Sequence, residues 1–174
     1  MKLTEIARKV LEAYFNGDEF ELARQEKNKF KEKKASFVTL TKEGNLRGCI
    51  GSLYPRQALW KDVQENAMNA AFHDPRFLPL NHKELSQIKI EISVLSEPKK
   101  INSKNPEDLI KKLTKNMGII LNHRDSSSTF LPQVWEQIPD KIEFLEQLSM
   151  KAGLNKDAWK TAEIWFYKVD IEHE

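Results

Sequence analysis

Cysteine is almost missing from this chain: Cys49 is the only one in 174 residues. A lone thiol cannot make an internal disulfide, a Cys-x-x-Cys redox pair, a multi-thiolate zinc site or the cysteine ligands of an iron–sulfur cluster, so these are excluded within a monomer. Long apolar runs are missing too. None approaches the roughly 20 residues needed to cross a bilayer, and Met1-Lys2-Leu3-Thr4-Glu5 leads into a charged periodic segment, not an apolar leader. A soluble, cytoplasmic protein is expected. Neither sign of charge is in surplus, since the formal net charge is +2. That gives little of the broad positive field typical of nucleic-acid binders, which argues against such a partner. There is no Gly-x-Gly-x-x-Gly, Walker loop, His-Glu-x-x-His or Gly-x-Ser-x-Gly, so no metal or cofactor site is expected.

What is present is an ordinary globular composition, 40% hydrophobic and 31% charged, long enough for one domain over residues 1–174. Leu3, Ile6, Ala7, Val10, Leu11 and Tyr14 recur at helical spacing, with Thr4 as cap and Asn16-Gly17 as stop. Residues 18–34 turn from acidic to lysine-rich and read as a surface connection with a helical turn or two. Residues 37–41 and 46–53 read as a hairpin around Lys42-Glu43-Gly44-Asn45. A helix begins at Pro55 and carries Leu59, Trp60, Val63, Ala67, Ala70 and Ala71 inward until Asp74-Pro75 breaks it. Ile88, Ile90, Ile92 and Val94 alternate with polar residues as a half-buried strand whose polar face carries Glu91. Asn105-Pro106 opens a short helix, residues 118–121 form a strand, 122–128 a polar turn and 129–134 a returning strand interrupted by Pro132. A helix over 140–152 ends at Gly153, and 163–169 is an aromatic terminal strand. The sum is an α+β domain, an antiparallel sheet with flanking helices.

The densest stretch is Leu46-Arg47-Gly48-Cys49-Ile50-Gly51-Ser52. In an unbroken strand, Arg47, Cys49 and Gly51 share one face, guanidinium and thiol roughly 6.6 Å apart. A nearby cation favours thiolate, and glycine admits a ligand or another backbone. Equally, Cys49 can be a small buried hydrophobe and Arg47 the partner of an internal carboxylate. The histidines, His73, His82, His123 and His173, show no spacing that marks a Cys–His dyad. Arginine fills only six of the 28 basic positions, yet it stands at Arg47 and Arg76. Only its planar fork grips a carboxylate or phosphate bidentately.

Leu46-Arg47-Gly48-Cys49-Ile50-Gly51 resembles the hallmark of the AMMECR domain family. Phe37-Val38-Thr39-Leu40, Ala71-Phe72-His73-Asp74-Pro75-Arg76-Phe77, Ile90-Glu91-Ile92-Ser93-Val94-Leu95, Phe130-Leu131-Pro132-Gln133-Val134 and Lys151-Ala152-Gly153-Leu154 follow in the family's order. Ala35-Ser36 departs from a glycine-alanine pair frequent there. The resemblance implies an α+β fold with a larger and a smaller lobe forming a cleft, and a molecular activity not yet established. It implies protein A of the AmmeMemoRadiSam system, with a Memo-type protein and a radical-SAM enzyme as partners. It also implies Arg47, Gly48, Cys49, Gly51, Asp74, Arg76 and Glu91 as binding positions. Two functions follow as expectations: an accessory protein whose hallmark cleft binds a small acidic ligand or partner segment, or an enzyme with Cys49 as thiolate nucleophile or covalent carrier. In the second, Arg47 stabilises charge and a nearby carboxylate or His73 moves protons.

Overall fold

The computed structural model describes residues 1–174, which divide into two compact units, Met1–Leu95 with Asp170–Glu174, and Ser96–Val169. In the first unit, α1 (Leu3–Asn16) buries Leu3, Ile6, Ala7 and Leu11, and Gly17 closes it in the left-handed conformation at φ 74. Thr4 is not the cap. It lies buried in the first turn, its N–H and hydroxyl both donating to Glu172 (2.8 and 3.1 Å), while Lys2 takes the cap position. After α2 (Arg24–Lys29), β1 (Ala35–Lys42) and β2 (Asn45–Gly51) form the expected hairpin. Its Glu43-Gly44 turn has φ of 52 and 80, the paired positive values that match the right-handed twist of a tight hairpin. The next helix, α3 (Leu59–Phe72), starts later than Pro55 suggests. Ala58 bridges to Lys33, and Leu59 N–H donates to Glu32 C=O (2.9 Å), so pairing with the earlier segment holds the chain extended past the proline. It is followed by β3 (Ile88–Leu95).

The second unit holds β4 (Lys99–Lys100), α4 (Pro106–Lys112), β5 (Gly118–His123), β6 (Ser126–Phe130), α5 (Val134–Gln137), α6 (Lys141–Lys151) and β7 (Glu163–Tyr167), with sheet order β4-β7-β5-β6. Asn105 caps α4, accepting the Asp108 N–H at 2.8 Å, as its sequence predicts. The expected polar turn over 122–128 shrinks to Arg124-Asp125, because Ser126–Phe130 pairs with β5 and the buried Ser128 hydroxyl donates to Leu148 C=O (2.6 Å). The strand expected to reach Val134 stops at Phe130 and gives way to α5. Trp135 stacks on Phe144 at 3.6 Å in a core with Ile119, Leu121, Leu145 and Leu148.

The terminal strand expected over 163–169 is two strands, β7 and β8 (Val169–His173), which belong to different sheets. The first sheet has order β2-β1-β3-β8. Glu174 N–H donates to Ile90 C=O (3.1 Å) while His173 meets Glu91 (3.3 Å), so β8 runs antiparallel to β3 and residues 96–169 are an insertion between two neighbouring strands. One face of this sheet, through Val38, Leu40, Ile90 and Ile92, packs with Ile6, Leu11, Val63 and Ala67 of α1 and α3. The opposite alternation carries Thr39, Cys49 and Glu91.

Candidate functional site

Strand β2 is a sheet edge, and an edge exposes main-chain donors and acceptors that must be paired, covered or left wet. Here they are taken at Cys49 by the segment that follows α3. Cys49 N–H donates to Asp74 Oδ2 (2.9 Å), and Cys49 C=O accepts from Arg76 Nη2 (3.2 Å). Asp74 and Arg76 thus do for Cys49 what a further strand would do. The segment folds this way because α3 ends at Phe72 and Pro75 cannot continue a helix. Asp74 then binds its own neighbour, accepting Arg76 N–H (3.1 Å), Nε (2.9 Å) and Nη2 (2.7 Å). The Arg76 guanidinium holds the Asp74 carboxyl at a pKa of about 2, against a desolvation that pushes upward. The carboxylate side chain is 2% exposed and its arginine 53%, so the cation is what solvent meets.

Arg47 goes elsewhere. The register jumps from Leu40 opposite Gly48 to Thr41 opposite Leu46, and the extra residue is Arg47, as in a β-bulge. Its removal from strict alternation ends the expected pairing of guanidinium and thiol on one face. Arg47 instead forks onto Glu84, Nε to Oε1 and Nη2 to Oε2, both at 2.9 Å. Glu84 also receives Lys42 Nζ (3.3 Å) and the Asn81 N–H (3.2 Å), and the Arg47 hydrogen bond foremost lowers its pKa to about 2. Arg47 and Arg76 approach the same ring: their guanidinium carbons lie 5.9 and 5.5 Å from the centre of Phe77, within cation–π range.

The hallmark glycines are packing positions. A Cβ on Gly48 would strike the carbonyl oxygen of Ala70, so α3 can lie against β2 only where the side chain is missing. A Cβ on Gly51 would strike the Phe37 ring and the carbonyl oxygen of Ser36. Beside them is a buried polar knot: Asp62 Oδ2 accepts from Ser36 N–H (2.8 Å), Ser36 Oγ (2.6 Å) and Asn66 Nδ2 (2.9 Å), and Oδ1 from Ser52 Oγ (2.8 Å). These bonds tie the start of β1, the end of β2 and α3 together.

Cys49 itself is half-buried, with its sulfur 3.3 Å from Thr39 Oγ1. Burial pushes the thiol pKa up; the Thr39 bond and the Arg76 charge pull it down, and Asp74 and Glu91 add to the rise. Thr39 pairs with Cys49 on one side and Glu91 on the other, and Glu91 with His173, so sulfur, hydroxyl, carboxylate and imidazole sit on successive strands. His73 bonds Asn69 (3.1 Å) and His82 stands edge-on to Phe15. The structure therefore brings Cys49, Asp74 and Arg76 into direct contact, sets Gly48 against α3, places Glu91 across Thr39 from Cys49, and turns Arg47 toward Glu84. No group of three or more histidine, cysteine, aspartate or glutamate side chains is placed to hold a metal ion. Sequence reasoning missed Glu84, Phe77, Thr39 and the Asp62 knot. The signals were present: Asn81-x-x-Glu84 is a capping box, and Asp62 interrupts an apolar helix stripe between Leu59 and Val63.

The family described as AMMECR1 matches residues 4–172. A protein of Nanoarchaeum equitans is 37% identical, covering all of this chain and 99% of its own. One from Methanosarcina acetivorans is 40% identical over 83% of this chain and 74% of its own. The crystal structure of an uncharacterized protein from Pyrococcus horikoshii, 32% identical, superposes with a TM-score of 0.91 over 99% of this chain and 89% of that one.

Proposed function

The chain belongs to the AMMECR1 family, and from that premise we propose that it is a binding protein whose surface around Arg76 and Arg47 takes the acidic group of a small ligand or partner segment. Its setting in this reading is a modification system of the AmmeMemoRadiSam type, with a Memo-type protein and a radical-SAM enzyme as the partners served. The observation that carries the proposal is the burial of Asp74 beneath a half-exposed Arg76. Asp74 fixes the fork through Nε and Nη2, and the guanidinium so held is half-exposed. A planar donor held rigid before the ligand arrives loses little entropy on binding a carboxylate or phosphate.

The thiolate reading draws less support. A nucleophilic cysteine needs a lowered pKa or an adjacent base, whereas burial raises that of Cys49 and its polar neighbour is a threonine. Arg47, the residue meant to stabilise the thiolate, is engaged with Glu84.

Isothermal titration of the full chain with malonate and inorganic phosphate, then with a purified Memo-type protein and radical-SAM enzyme, tests the proposal. Saturable binding of at least one is expected, weakened about ten-fold by Arg76→Gln and partly kept by Arg76→Lys, which retains the charge but loses the fork. Binding to none of the four, or equal binding by Arg76→Gln, overturns it.

A further inference from the structure

Leu78 is 84% exposed, the most exposed of the large hydrophobic side chains. A lone surface leucine needs no explanation, but this one stands on a fixed loop. Asp74 is tied to Cys49 and Arg76, Phe77 N–H donates to Asp74 C=O (3.1 Å), and Leu80 N–H donates to Ala71 C=O (2.8 Å) with the Leu80 side chain buried. Phe77, its neighbour in the chain, is approached by the guanidinium groups of both Arg47 and Arg76. Leu46, next to Arg47, is exposed as well. Apolar and cationic groups therefore neighbour one another along this stretch, where Asp74, 2% exposed, lies beneath a 53% exposed Arg76, while Arg47 and Glu84 satisfy each other and are about equally covered.

We propose that Leu78, Phe77 and Arg76 form a docking surface for an acidic-apolar peptide segment of a partner protein, a carboxylate meeting Arg76 beside an apolar side chain laid against Leu78. The proposal rests on the reading of Arg76 as an anion site and names its occupant. Charge complementarity selects acidic over basic segments, because the Arg76 guanidinium meets solvent while the Asp74 carboxylate that holds it is buried and already bonded. The protruding leucine selects a peptide over a bare small anion, since a small anion would leave it uncovered. Arginine and aromatic residues on a preformed loop are the kind that dominate binding energy at protein interfaces.

The test is a random-peptide phage library panned on the full chain, followed by titration of the best synthetic peptide against wild type, Leu78→Asp and Arg76→Gln. Leu78→Asp alters an exposed side chain, and an unchanged melting curve checks its fold. Expected are peptides with Asp or Glu close to Leu, Phe or Met, and affinity falling about ten-fold or more in each variant. Loss in Arg76→Gln alone overturns the peptide surface and leaves the anion site standing. Equal binding by both variants overturns both, and so does recovery of peptides without acidic residues. Failure to enrich any peptide overturns the docking proposal alone, with the small-anion titration deciding the rest.

Discussion

At Asp74 and Glu84, one buried and one half-buried carboxylate are each held by an arginine fork, and each has a pKa lowered to about 2. A carboxylate whose folded pKa lies below its unfolded value of roughly 4 stabilises the fold at every pH above that value, and the contribution is lost as pH falls through the folded pKa. Stability should therefore drop between about pH 4 and pH 2, and urea unfolding across that window measures it. Asp74→Asn should flatten the acid limb and cost roughly 1–3 kcal/mol at neutral pH, because an amide cannot accept from Cys49 N–H and both arginine nitrogens at once. An unchanged acid limb would mean that Asp74 is not ionised in the way described. The candidate residues were legible one by one, since a lysine-rich chain that keeps arginine at 47 and 76 marks them. Their partners were not, because Asp74 pairs two residues away and Glu84 pairs across 37 positions, and no spacing rule links them.

Among the elements, β2 shows why a motif reads differently in sequence and in structure. Alternation assigned Arg47 and Cys49 to one face, but a one-residue bulge sits at Arg47 where Leu40 and Thr41 lie opposite on β1, and a register shift leaves no local trace. The hairpin turn and the α4 cap were legible because Gly44 and Asn105 act on their immediate neighbours. Pro55 misled for the complementary reason, since a distant bridge to Lys33 overrode it. The close approach of α3 to β2 yields a direct expectation. Gly48→Ala should destabilise by roughly 1–3 kcal/mol, since the added methyl meets backbone, which cannot rotate aside as a side chain would. A shift in urea midpoint with unchanged slope measures it, and a neutral substitution would refute the packing role.

For the molecule as a whole, the α+β class and nearly every helix were legible from periodicity, while the topology was not. The aromatic run before the C-terminus looks continuous, yet Lys168 divides it between two sheets. The second unit is contiguous in sequence, has its own core, and is closed at its ends by Ser96 N–H to Lys168 C=O and Lys168 N–H to Ser96 Oγ, both 2.9 Å. A fragment of residues 96–169 should therefore fold alone, unfolding cooperatively by heat with near-ultraviolet dichroism from Trp135 and Trp159. A fragment without such a transition would show that its core depends on the rest of the chain.

Beside the hallmark strand a buried Asp74 holds Arg76 oriented at the surface, and Cys49 is a packed thiol whose burial favours the protonated form. The most direct test is the rate of Cys49 alkylation by iodoacetamide from pH 5 to 10 on the native protein, with the urea-unfolded chain as reference. Slow labelling with a midpoint above that of the unfolded chain is the expected result, because burial disfavours the thiolate. Rapid labelling with a midpoint below the reference would contradict it and return Cys49 to the role of nucleophile.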